Sequence, residues 1–528
     1  MTYILKYRKP EDKTINMGKQ NNELKLGIIL NYINMAIGSL IPIFYTPIML
    51  SLLGQNEYGL YKLSSSVTSY LGLISLGLGS AVTRYLIKAK TEGGQEAEEN
   101  MLGLFLLIFR FIAFLALIIG TFITFNLDIW YSESLNNTEL KRMQILVFIM
   151  VCHMALSFSV SPYISIVTAR EKYLFFQCMS ILITTFTPII NLIALFLGYA
   201  SIGLAVSSFV IALIARIIYF LYVKFELKIK ARYNSMPINA FKEIFIFSFW
   251  IFIANIVSQL YNATDTLMIG AIPALGTTAV AIYNIGAVFN SMAHSLSTGI
   301  SSILMPKTNK LVFEGASNKE LTDYSILVGR LQTYISSILL VGFVIFGKPL
   351  IHFYVGDNYL EAYWITLFLL APSLIPLSQS VCLSILIAKN QHRFRSIMYL
   401  IVAIINVIFT WIVLKDWGIK GAAFISGAAL MMGHGFILNW YYWKKTGLEI
   451  NRFWKEIFKV LRIPILICIP GILLTSYLNL YKLGVLIAGI FIFLVVILVC
   501  QWKFSFNEYE KGLILKPLNK LQHKNNNY

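Results

Sequence analysis

Two arginines, one aspartate and one histidine stand in stretches of sequence otherwise too apolar to welcome a charge. Arg110 follows Met101 by nine residues, and Arg216 precedes Lys224 by eight. At a helical rise of about 1.5 Å per residue, both lie about 12–13 Å inside their stretches. A charge near the middle of a bilayer costs about 2.5–3.5 kcal/mol, so something must offset that cost. Arginine can give two parallel hydrogen bonds to the oxygens of an anionic group, which suits a phosphate-bearing ligand. The structural alternatives are helix-end carbonyls, or snorkelling to the headgroups. Arg330, nearer the start of its stretch, fits the interface.

Uncharged polar residues add two stripes. Asn255, Gln259, Asn262 and Thr266 recur at helical spacing, with Asp265 beside the last. Tyr283, Asn290, His294, Ser297 and Ser301 share a face of the next apolar stretch. Polar side chains facing lipid are costly, so paired stripes predict a wetted lumen. Asp265 and His294 can change charge with their surroundings, which makes them the candidates for coupling to H+ or Na+. The alternative for Asp265 is a buried hydrogen-bond partner. His153 and His434 are lone histidines that fit packing. Ser201, Ala205, Ser208 and Ala212 lead to Arg216 along one small-residue face, suited to close packing or to a path. Asn31, Asn34, Gly38, Pro42 and Tyr45 line one side of the first stretch, whose proline and glycine predict a bend.

The elements that position these residues must be membrane helices. The 528 residues are 57% hydrophobic and 13% charged, with a mean hydropathy of +0.71. No ordinary soluble core needs so much apolar surface. Fourteen stretches are long enough to span, and they are too long and uniform for alternating barrel strands. The fold expected is all-α and polytopic, with 14 transmembrane helices. A net charge of +18 would suggest nucleic acid in a soluble protein. Here the basic residues fill short gaps between apolar stretches, so no nucleic-acid partner is expected. Alternate gaps, starting with the N-terminal tail, hold 33 of the 43 lysines and arginines, and the opposite gaps hold 7. That bias places both termini in the cytoplasm. The polar, basic residues 1–25 show no cleavable signal.

No catalytic residues are expected. There is no G-x-x-x-x-G-K-[ST] loop, no H-E-x-x-H, no G-x-S-x-G and no clustered His/Cys set. No metal site and no cofactor are expected beyond H+ or Na+ coupling. The five cysteines lack metal-like spacing and fit packing.

The chain also repeats itself. Leu53-Gly54 with Tyr61 returns as Leu275-Gly276 with Tyr283, and Ile189-Ile190-Asn191 returns as Ile404-Ile405-Asn406. Gly203-Leu204-Ala205 is echoed by Gly421-Ala422-Ala423. Spans one to six therefore align with seven to twelve in the same orientation, a parallel repeat. The expected organisation is a cytoplasmic tail (1–25), an N-lobe (26–223), a linker (224–243) and a C-lobe (244–441). A linker with spans thirteen and fourteen (442–501) and a basic C-tail (502–528) follow.

With Leu53 through Tyr61 after span one, Asp265 late in span seven, Pro306 closing span eight and Val355-Gly356-Asp357-Asn358-Tyr359 before span ten, the chain resembles a known group. It is similar to the polysaccharide flippases of the multidrug/oligosaccharidyl-lipid/polysaccharide exporter (MOP) superfamily. These are marks of fold and do not name a cargo. The resemblance implies a flippase moving a polyprenyl-pyrophosphate-linked oligosaccharide from the inner to the outer leaflet by alternating access. It would serve a surface polysaccharide such as lipopolysaccharide O-antigen or capsule. Two six-helix lobes would surround a central cavity, with the last two spans peripheral. The setting implied is a bacterial cytoplasmic (inner) membrane, with membrane lipids, the lipid-linked glycan and glycan polymerase or assembly proteins as partners. On this reading Arg110, Arg216, Asn255, Gln259, Asn262, Asn290 and His294 line the headgroup path. A cation-coupled drug or metabolite antiporter of the same superfamily is the rival. It should favour an acidic site over two deep arginines. A membrane glycan polymerase or ligase should carry a large external loop, and this sequence has none.

Overall fold

A computed structural model describes residues 10–233, 240–389 and 391–512. The predicted tails and linker fall partly outside these residues. Among them there is no strand. The helices are α1 (Pro10–Leu53), α2 (Gln55–Leu71), α3 (Leu78–Phe125), the short α4 (Asp128–Tyr131), α5 (Asn137–Ala169), α6 (Tyr173–Phe196) and α7 (Ala200–Leu221). Then come α8 (Ala240–Asn262), α9 (Thr264–Ala271), α10 (Gly276–Phe313), α11 (Asn318–Val355), α12 (Ala362–Ser378) and α13 (Ser380–Ala388). The chain closes with α14 (His392–Leu430), the short α15 (Leu438–Tyr441), α16 (Ile450–Tyr477) and α17 (Leu483–Phe504).

Ten helical stretches in the described residues are long and apolar enough to cross a membrane. They become eleven if α12 and α13, bent by 49° at Gln379, count as one. The chain is thus an all-helical, multi-pass membrane protein. Two of the stretches, 55–125 and 393–446, run to 71 and 54 residues. A count of fourteen requires each of these to cross twice and α10 to cross once. Both carry a glycine whose backbone leaves the helix, Gly94 (φ 70°, ψ −159°) and Gly418 (φ 58°, ψ −150°). Only glycine adopts such angles without a Cβ clash. The gap expected at 83–101 is therefore mostly helix. Its Ala, Glu, Gln and Lys residues are good helix formers, and low hydropathy hid that.

Two compact units emerge, Met1–Ala281 and Ile282–Tyr528. In the first, α1 and α6 run parallel in a fixed register. Gln177 donates to Asn31 (3.2 Å), Asn34 to Ser180 (2.8 Å) and Asn191 to the Tyr45 hydroxyl (3.2 Å), each pair 146 residues apart. The pairs are spaced by three and then eleven residues, fourteen in all, which is two heptads along one seam. Asn191 of the first Ile-Ile-Asn phrase is thus a packing amide. Its counterpart Asn406, 1% exposed, pairs with Ser426 at 3.3 Å in the second unit.

The repeated Leu-Gly phrase is a structural corner in both copies. Gly54 (φ 77°) precedes α2, and Gly276 (φ 61°) opens α10. The two corners touch within the first unit. Thr278 donates to the Asn56 side-chain oxygen at 2.6 Å, and these residues occupy the same place in each copy. A Cβ on Gly59 would lie 1.9 Å from the Thr277 carbonyl oxygen, so only glycine permits that approach. Contact between equivalent positions is what a two-fold repeat produces near its axis.

Buried ion pairs close the basic ends of both units. Glu98 and Glu99, at 0% and 5% exposure, hold Arg170 and Arg232, which fixes the segment after α7 against α3. Arg330 is buried within the protein. It meets Glu510 through two bonds of 2.6 and 2.9 Å, with Glu456 at 3.6 Å, Tyr334 at 2.9 Å and the Ser505 carbonyl at 2.7 Å. The segment after α17 folds back to supply that partner.

Candidate functional site

The two deep arginines of the sequence lie in the first unit, on α3 and α7, and each is associated with α5. Arg216 donates to the Ala212 carbonyl (2.9 Å) and to the Ser157 hydroxyl, whose own proton goes to the His153 carbonyl (2.8 Å). Its Nε has no hydrogen-bond partner among the described residues. The His153 ring lies within electrostatic reach of Arg216. Two turns along α5, Tyr163 meets Phe220 of α7 edge-on (5.3 Å, 87°) and lies within electrostatic reach of Arg110. Arg110 itself is exposed. Among the described residues neither arginine has a carboxylate within ion-pair distance, so their positive charge stays uncompensated. Arg216 is half-buried, with guanidinium donors left over once Ala212 and Ser157 are served. That is the valence an anionic oxygen would take.

The small-residue face leading to Arg216 packs against α2. Ser201 donates to Glu57, which also pairs with Arg142, and Ser208 bonds Tyr61.

The first polar stripe is split. It reads as one helix in the sequence, but α8 ends at Asn262 and α9 begins after Ala263 (φ −116°, ψ −25°). Tyr70 of α2 spans the break, donating to the Gln259 carbonyl (3.3 Å) and touching the Thr264 hydroxyl. Asn255 and Gln259 are half-buried, and Gln259 accepts from Ser69 at 3.2 Å. Asn262 is exposed, its amide turned back to the Ser258 carbonyl at 2.8 Å. Asp265 and Thr266, at 3% and 2% exposure, are buried in the first turn of α9. A carboxylate there is favoured by the helix dipole.

In the second unit Asn290 is half-buried and accepts from Ser373 (3.4 Å), while His294 is exposed. The side chains of Ser297 and Ser301, and that of Pro306, lie outside the described residues. Asp265 and His294 therefore belong to different units. His434 bonds the Tyr399 hydroxyl through Nε2 at 2.9 Å, beside the Arg395 guanidinium (5.1 Å from the Tyr399 ring). The five cysteines are unpaired thiols.

Sequence reading missed one face. Tyr58, Lys62, Ser65 and Ser69 recur along α2 at four-, three- and four-residue steps, and Ser69 joins Gln259 of α8. Lys62 is half-buried seven residues into the helix, its ammonium 5.5 Å from the Tyr58 ring centre. Because it follows the Leu-Gly corner closely, it reads in the sequence as one of the seven basic residues of the opposite gaps. Its spacing with the serines was the available signal.

Among curated proteins none matches the sequence significantly. In overall structure the chain is similar to the lipid II flippase MurJ in an inward closed conformation, with a TM-score of 0.70 and 17% identity over 93% of this chain and 99% of that one. It is also similar to an inward-facing multidrug resistance MATE family transporter of the MOP superfamily (TM-score 0.57, 13% identity, 80% and 99% covered). A mutant of the Vibrio cholerae MATE transporter VcmN gives 0.55 and 14% identity, covering 82% and 99%. At these identities the likeness establishes a shared transporter fold. The model of a family described as polysaccharide biosynthesis protein matches residues 24–311, more than half of the sequence. The chain belongs to the polysaccharide biosynthesis protein family.

Proposed function

We propose that this protein flips a polyprenyl-pyrophosphate-linked oligosaccharide from the inner to the outer leaflet of a bacterial cytoplasmic membrane. One observation carries the reading. Arg110 and Arg216 lie along α5 with no carboxylate among the described residues to neutralise them, in a chain of the polysaccharide biosynthesis family. An uncompensated cation deep in a span is retained for a ligand that completes it. A diphosphate brings the complementary charge and several acceptor oxygens. The glycan would follow the polar faces of α2 and α8, including Lys62, Ser69 and Gln259, while the polyprenyl chain stays in lipid.

Alternating access needs two states whose balance the cargo shifts. The Asn56–Thr278 contact is one that such a change would break or keep as a unit. Fourteen crossings with both termini cytoplasmic fit the lysine and arginine bias. H+ or Na+ coupling through Asp265 or His294 remains part of the proposal, as do assembly with glycan polymerase proteins and a role in O-antigen or capsule export. The antiporter reading has one observation in its favour, the burial of Asp265. The uncompensated arginines favour an anionic cargo over a cationic drug.

The test is export in cells carrying Arg110→Ala, Arg216→Ala or both. The proposal expects the double variant to insert at normal levels and to lose most surface glycan. Full export by the double variant would contradict it. Transport that ignores dissipation of both the proton and the sodium gradients would remove the coupling element alone.

A further inference from the structure

A cleft of about 310 Å³ opens in the second unit between α11, α12 and the end of α16, apart from every residue assigned to the cargo. Lys348, Tyr363, Thr475 and Tyr481 supply its polar lining, and Val344, Ile345 and Ile472 its apolar lining. A cation and hydroxyls beside aliphatic side chains are what an amphiphile's site combines.

Lys348 is the group that calls for a ligand. It is exposed, with its ammonium 5.5 Å from the centre of the Tyr363 ring. No carboxylate among the described residues pairs with it. The acids near this end of α11 and the start of α12 are engaged elsewhere, Asp357 with His352 (2.6 Å) and Glu361 with Lys420 (3.1 Å). The Tyr363 hydroxyl is fixed by donating to the Val344 carbonyl at 3.0 Å, and a Cβ on Gly347 would lie 2.8 Å from its ring. The aromatic partner of Lys348 is therefore held in place. Thr475 donates to the Ile472 carbonyl at 2.7 Å, so its oxygen is still able to accept.

The aromatic residues set the level. Tyr363 packs edge-on with Trp364 (5.2 Å), and Tyr481 with His352 (5.1 Å). Such a band marks the height of the lipid headgroups. One turn deeper than Thr475, α16 closes on α11, where a Cβ on Gly471 would come within 2.4 Å of Ile345. That approach floors the cleft. A lysine at headgroup level above an apolar, floored slot matches a phosphate with the first carbons of an acyl chain.

We propose that this cleft binds an anionic glycerophospholipid, with the phosphate on Lys348 and the start of one chain between α11 and α16. The assignment does not depend on what the protein transports. Native mass spectrometry of the full-length protein in detergent tests it, by titrating phosphatidylglycerol and phosphatidylcholine separately. The first phosphatidylglycerol should be retained at least fivefold better than phosphatidylcholine. Lys348→Gln should lose most of that preference and Lys348→Arg should keep it. Lys415→Gln serves as the control, because Lys415 also stands over an aromatic ring (Trp411, 5.9 Å) but does not line this cleft. Unchanged preference in Lys348→Gln overturns the proposal, as does an equal loss in Lys415→Gln. Displacement of phosphatidylglycerol from this site by substoichiometric polyprenyl diphosphate would assign the cleft to the cargo instead, and would overturn the phospholipid assignment.

Discussion

Arg216 and Arg330 are both arginines within helices of a membrane protein, and the molecule treats them in opposite ways. Arg330 is enclosed by Glu510, Glu456, Tyr334 and the Ser505 carbonyl, so both its charge and its hydrogen-bonding capacity are consumed. Among the described residues Arg216 has a serine and a carbonyl of its own helix, no carboxylate, and an Nε without a partner. Arg110 is less engaged still. The difference separates an arginine that ties α11 to α16 and the segment after α17 from the arginines that the proposed function assigns to an outside anion. What distinguishes them is compensation.

The contrast breaks down most visibly if Arg330 can be removed without harm. Arg330→Ala leaves Glu510, which is 0% exposed, buried without its counter-charge. Stranding a buried charge costs about 3–5 kcal/mol, so folded protein recovered by gel filtration should fall sharply. Replacing both partners, as Arg330→Met with Glu510→Met, should restore most of that loss, because an apolar pair can substitute for a buried ion pair. Arg216→Ala should behave in the reverse manner. Its thermal unfolding should stay close to wild type while glycan export falls about tenfold or more, the loss expected when a charged hydrogen bond worth about 1.5–3 kcal/mol disappears from a binding step. Arg216→Lys sharpens this, since it keeps charge but loses the planar fork, and should recover only part of export. The smallest effect belongs to Ser157→Ala. Removing one orienting hydroxyl should lower export a few-fold, about 1 kcal/mol, with stability unchanged within error.

Much of the first half of this comparison was legible in the sequence. Arg110 and Arg216 stand out because long apolar runs make any charge conspicuous, and the polar stripes of α8 and α10 follow from helical spacing. The Leu-Gly corners were visible as a repeat, and their positive φ values explain why glycine recurs. What escaped notice depends on tertiary partners. Nothing near Arg330 in the chain indicates Glu510, 180 residues away. The break at Ala263 is bridged by Tyr70 reaching across from α2, and the apolar periodicity runs through it undisturbed. Lys62 was overlooked for a different reason, its closeness to a corner that read as loop. The helix that flanks Gly94 on both sides within residues 83–101 shows that hydropathy marks where a chain leaves the bilayer better than where a helix ends.

The most direct test of the central claim is mass spectrometry of the lipids that accumulate when cells depleted of the native protein carry an Arg110→Gln, Arg216→Gln double variant. The account predicts build-up of a polyprenyl-pyrophosphate glycan to the level seen in depletion alone, with the variant protein present in the membrane at normal amount. A lipid profile indistinguishable from that of cells rescued by the wild-type chain would contradict it.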